Sequence, residues 1–149
     1  MATTAQARAP VHLWIVGILS LLWSCMGAYD YVMSRMHNMA YLKAMMPNAN
    51  PALVYAYMDS MPIYASIGWG LGVWGGLLGA VLLLIRSPYA VWAFLVSLVG
   101  MVLSFGWQLF LATNVPAGMN NPVVPAVITV IGLFMLWYSW SMEKKGVLR

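Results

Sequence analysis

Asp30 stands between Tyr29 and Tyr31 in the stretch Trp23-Ser24-Cys25-Met26-Gly27-Ala28-Tyr29-Asp30-Tyr31, near the end of the first long apolar segment. It is the only acid in any of the long apolar segments. A carboxyl there can accept hydrogen bonds from the hydroxyls of a polar solute or cycle a proton. At membrane depth such a group costs ~2.5–3.5 kcal/mol on insertion scales, so it needs either a function or a structural partner. Arg35, five residues on, is a candidate partner.

A second chemistry is written just downstream. Met33, Met36 and Met39 recur every three residues, with His37 among them. Thioethers and imidazole suit Cu(I), so the run reads as a soft-ligand array. Against it stand the 13 methionines of the whole chain, a residue that fills irregular gaps generally, and the cations Arg35 and Lys43 beside the array. The sequence therefore favours packing over a metal, and no cofactor is expected. No Ser-His-acid set, paired carboxylates, metal-spaced His/Cys cluster or phosphate-cradling loop is present, so the chain does not read as an enzyme.

The elements that must position these residues follow from composition. Of the 149 residues, 63% are hydrophobic and 7% charged, against roughly 45–50% and about 25% in soluble domains. Four apolar stretches, Leu13–Met33, Ile63–Ile85, Tyr89–Ala112 and Val124–Ser141, are each long enough to cross a ~30 Å hydrocarbon core. None alternates with period two, as a barrel strand requires. The expectation is one all-α integral membrane domain of four transmembrane helices, with lipid around it. A secretion signal is the competing reading of the first span, but its apolar run exceeds the usual ~7–15 residues and no Ala-x-Ala-like site follows. Leu22-Trp23-Ser24-Cys25 fits a lipoprotein box poorly because of Trp23. Cys25 is the sole cysteine and is expected as a small buried hydrophobe.

The net charge of +4 serves topology, not nucleic acid. Arg8, Arg86, Lys144, Lys145 and Arg149 fall before span one, between spans two and three, and after span four, while Arg35 and Lys43 lie on the opposite side. That asymmetry places both termini in the cytoplasm of a bacterial inner membrane and the 33–62 and 113–123 loops outside. Met1–Val11 is expected as a frayed tail, and His12 as a headgroup-level histidine. In the first external loop, Asn50-Pro51 reads as an N-cap with proline at the first helical position. A short amphipathic helix from Pro51 to about Ser60 would show Leu53, Val54, Tyr57 and Met61 on one face.

Gly68, Gly72, Gly76 and Ala80 repeat at four-residue spacing in span two and form a small-residue seam that lets another backbone come close. The neighbour could be in the bundle or in another subunit. Ser97, Met101, Ser104 and Gln108 form a stripe on span three. Helix rise places Asp30 ~10 Å outward from the middle of its span, level with Tyr31, Ser66, Trp69, Trp107, Gln108 and Thr129. Gly27, one turn below, would admit a neighbouring helix. These residues form a candidate outward-facing polar pocket. Competing with it is the reading in which Asp30 makes a register-fixing contact worth ~0.6 kcal/mol.

The run His12-Leu13-Trp14-Ile15-Val16-Gly17, then Leu22-Trp23, Gly27, Asp30-Tyr31 and Met33, resembles a family of small four-span proteobacterial membrane proteins. So do Leu71-Gly72-Val73-Trp74-Gly75-Gly76, Ala90-Val91-Trp92 and Ser97-Leu98-Val99-Gly100. The resemblance covers most of the chain and implies a loose sugar-transporter label. Two functions follow as expectations. The first is an interaction or accessory subunit packed through the glycine seam against itself or a larger membrane complex. The second is a carrier of a small sugar-like solute with its pocket around Asp30.

Overall fold

The computed structural model describes residues 7–149, whose regular elements are all helical, with no strand among them. The first six residues of the expected tail lie outside the described residues. Helix α1 spans Val11–Arg35, the short α2 Met39–Met45, α3 Pro51–Asp59, α4 Ile63–Leu84, α5 Tyr89–Gly106 and α6 Val123–Lys144. A π-helical turn, Trp107–Leu111, prolongs α5. Helices α1, α4, α5 with its π turn, and α6 are long and apolar enough to cross a membrane. The protein is an all-α membrane protein of four spans.

Local chemistry sets the boundaries. Asn50 caps α3 by accepting from the Ala52 amide at 3.0 Å, with Pro51 at the first position. Asn38 does the same for α2 through the Tyr41 amide, and this helix has no counterpart in the sequence reading. Within α3 the buried residues are Val54, Tyr55 and Tyr57, whereas Leu53 is 61% exposed. The inward face is thus turned by one residue from the expected one, because Tyr55 packs with Leu42 of α2 in a small core of their own.

Helices α1, α4 and α6 end in the same motif, a residue in the left-handed region followed by paired bonds back to the last turn. At α6 that residue is Gly146. At α1 it is His37 (φ 52°), with Asn38 N donating to Met33 O. At α4 it is Arg86 (φ 61°), with Ser87 N donating to Leu82 O. A side chain in this region costs about 1–2 kcal/mol, a cost against which the contacts of Arg86 and His37 are set.

The bundle is built on the α4–α5 hairpin, with α1 on α4 and α6 on α5. The small-residue seam makes the hairpin. A Cβ placed on Gly68 would lie 2.7 Å from Gly100 O, and one on Gly72 3.3 Å from Met101 Cγ. Ala80 is fully buried. Ser97, from the stripe on span three, donates to Gly72 O at 2.6 Å. Gly27 meets nothing with an added Cβ. The close approach on α1 is instead at Gly17, against Leu84. Cys25 is exposed, correcting its expected burial, because its face of α1 points away from α4.

Candidate functional site

The chemistry-bearing side chains collect at the two ends of the bundle. At the loop end, Asp30 accepts a hydrogen bond from the Tyr41 hydroxyl of α2 at 2.8 Å. The Tyr29 and Tyr41 rings meet edge to face at 5.5 Å. Burial, and then the bond to Asp30, push the Tyr41 hydroxyl up to about 12 from 10.0. Tyr55 of α3, raised first by burial and then by the Asp30 charge, donates to Asn38 O at 2.7 Å. Helices α2 and α3 form a cap over this end, and Asp30 is the acceptor that fastens it.

Arg35 does not pair with Asp30. Five residues apart on a helix is a rotation of about 140°, so the guanidinium faces α4. There it donates to the Ser66 hydroxyl and lies 5.0 Å from the Trp69 ring centre and 5.4 Å from that of Tyr31. Tyr31 and Trp69 in turn meet edge to face at 4.7 Å. A cation over two aromatic faces is a favourable arrangement at a membrane boundary.

The seven residues placed at one depth therefore occupy four settings. Asp30 binds the cap, while Tyr31, Ser66 and Trp69 surround Arg35. Trp107 stacks on Tyr57 of α3 at 5.4 Å, and Gln108 beside it donates to Met119 O at 3.1 Å. Thr129 donates to Pro125 O one turn back in its own helix. The Tyr57 hydroxyl, pushed up by burial, is buried without a hydrogen-bond partner among the described residues.

The methionine array is divided in a similar way. His37 Nε2 donates to Asp59 Oδ1 at 3.0 Å, tying the end of α1 to the end of α3, and its ring meets Tyr55 edge to face. Met33 Sδ accepts from Asn38 Nδ2, while Met36 and Met39 are exposed. Among the described residues no three His, Cys, Asp or Glu side chains come together as a metal site.

The opposite end carries Ala7–Pro10 and the segment after α6, and sequence reasoning missed its central residue. Arg86 Nε donates to Val147 O at 2.9 Å and its Nη2 to Ala7 O at 2.8 Å, while Arg149 N donates to Arg86 O at 2.7 Å. Val147 and Leu148 are buried with Leu13, Leu83, Phe94 and Met142. His12, expected at headgroup level, bonds the Tyr138 hydroxyl of α6 through Nδ1. The signal that could have found this end is Gly146, a helix stop, followed by an apolar pair.

No protein-family model matches this chain, nor does any curated protein or solved structure.

Proposed function

We propose that the protein is a small accessory or interaction subunit of a bacterial inner membrane, with both termini in the cytoplasm, and neither an enzyme nor a carrier. The observation that supports this most is that the outer polar residues are engaged in holding the protein itself together. Asp30 fastens the cap, Arg35 and Ser66 join α1 to α4, and Gln108 holds the loop before α6. The glycine seam is filled by α5 of the same chain, so assembly with another subunit uses other faces. The distribution of basic residues supports the orientation.

The test is gentle detergent extraction from native membranes, with sizing and identification of what co-purifies, beside uptake assays on Asp30→Asn. A stoichiometric partner, with uptake unchanged and the cap loosened, is the expected outcome. Loss of uptake by a fully stable Asp30→Asn protein would overturn the reading.

A second reading, a carrier of a sugar-like solute, is favoured by one feature. The unpartnered Tyr57 hydroxyl lies beside the Trp107 ring, and a buried hydroxyl without a partner is satisfied by a polar ligand group. The family resemblance points the same way. Tyr57→Phe separates the two readings: it lowers solute uptake in a carrier and leaves partner binding unchanged in an accessory subunit.

A further inference from the structure

An open groove of about 390 Å³ lies between α5 and α6. Its wall is Val91 of α5 with Leu133, Leu136, Trp137 and Trp140 of α6. The four α6 residues follow i, i+3, i+4, i+7 spacing and so form one stripe. That stripe continues into Lys144, whose Nζ lies 3.6 Å from the Trp140 ring centre. From Leu133 to Lys144 is ~16 Å at 1.5 Å per residue, about half of a ~30 Å hydrocarbon core. The stripe therefore has the depth of one leaflet and ends in a cation.

Charge at the two ends of the molecule differs in the same sense. The terminal end carries Arg8, Arg86, Lys144, Lys145 and Arg149 against one carboxylate, Glu143. The loop end balances Arg35 and Lys43 against Asp30 and Asp59. The whole net charge of +4 is thus gathered at the end of the molecule where Trp140 and Lys144 lie. Arg86 is occupied with carbonyl oxygens, while Lys144 and Lys145 are exposed.

We propose that this groove is a binding site for an anionic phospholipid of the leaflet at the terminal end. One acyl chain lies along Leu133, Leu136 and Trp137, and the headgroup phosphate sits at Lys144 and Lys145. Trp140 joins the two parts. It walls the groove with its ring and holds Lys144 over the same ring, so the cation stays at the mouth. A zwitterionic lipid fills the apolar stripe equally well but gains less from two lysines, so the site discriminates by headgroup.

The test uses the full chain in dodecyl maltoside micelles, with dioleoyl phosphatidylglycerol and dioleoyl phosphatidylcholine titrated separately and bound lipid read by native mass spectrometry. Phosphatidylglycerol is expected to be retained in preference. Lys144→Gln, an exposed change that leaves the fold intact, weakens it about fivefold, and adding Lys145→Gln about fivefold more. Leu136→Trp fills the groove and removes the retained lipid. Equal retention of the two lipids by the native chain overturns the proposal, as does an unchanged preference in the double lysine variant. If Leu136→Trp instead converts a dimer to a monomer and leaves lipid retention as it was, the groove is a contact between copies and the proposal fails.

Discussion

At the terminal end, one arginine draws the α4–α5 turn, the segment before α1 and the segment after α6 into a common network. At the loop end, separate side chains each hold one junction: Asp30 to Tyr41, His37 to Asp59, Arg35 to Ser66, Tyr57 to Trp107. Both ends place a non-glycine residue in the left-handed region, Arg86 and His37, yet the return differs. Arg86 makes charged bonds to two carbonyls beside a buried apolar cluster, whereas the His37–Asp59 pair is about half exposed on both sides. One end is a closed clasp and the other a cap resting on independent contacts. Only the cap is built so that one of its pieces can let go without the others.

The largest expected effect tests the hairpin that both ends share. A side chain at Gly68 meets the Gly100 carbonyl at 2.7 Å from its first carbon, whereas one at Gly76 has 3.4 Å to Ser97 Oγ, ordinary contact distance. Gly68→Leu is expected to destabilise by more than about 3 kcal/mol, the upper range for overpacking, and Gly76→Ala to stay within about 0.5 kcal/mol. Melting in detergent micelles measures both. Limited proteolysis of Gly68→Leu sharpens the contrast. Cleavage confined to the 38–62 segment means that the clasp outlives the cap, and simultaneous cleavage at both ends would show them to be one cooperative unit.

Next come the two strained residues, for which the contrast predicts opposite signs. Arg86→Ala loses two bonds from a charged donor, worth about 1.5–3 kcal/mol each, and keeps the left-handed strain. A loss of roughly 3 kcal/mol or more is expected. Arg86→Gly loses the same bonds and recovers about 1–2 kcal/mol of strain, so it should melt between Arg86→Ala and the native chain. His37→Gly gives up an exposed pair worth about 0–1 kcal/mol and recovers the same strain, so it should melt at or slightly above the native temperature. A marked loss in His37→Gly would place the cap on the same footing as the clasp.

Why helix α2 and its contact with Asp30 escaped the sequence while α3 and the spans did not is a matter of which signals are local. Apolar length, Asn50-Pro51 and the glycine spacing each act through the backbone within a turn or two. Depth along a helix is also local, and it put Asp30, Tyr31, Ser66 and Trp69 at one height. Direction around the helix is not contained in depth. Adjacent residues diverge by about 100°, which sends Asp30 to α2 and Tyr31 to α4. The spacings Tyr31–Arg35 and Ser66–Trp69, four and three residues, did carry that cation site, since such pairs share a face. Helix α2 was hidden because Met39–Met45 is short and its methionines invited a ligand reading. Its one cue, Asn38 as cap, lacks the proline that made Asn50 legible.

A loss smaller than that of Arg86→Ala is expected at the Asp30–Tyr41 contact, where the cap meets the bundle. Tyr41 holds its proton up to about 12 when folded, against 10.0 as its ordinary value. A raised pKa of this kind favours the protonated, folded form. The contribution is fully present below pH 10 and is lost as pH rises to about 12. Tyrosinate absorbance should therefore show a late-titrating component near 12 that is diminished in Tyr41→Phe. In Asp30→Asn the burial cause stays and the carboxylate causes go, so Tyr41 should titrate earlier while the melting temperature falls by about 2–4 °C, as for a hydrogen bond worth about 1 kcal/mol. If Asp30→Asn leaves the late titration in place, burial alone sets it, and the carboxylate does not fasten the cap. If Asp30→Asn lowers stability as much as Arg86→Ala, the loop end is a second clasp and the difference between the two ends disappears.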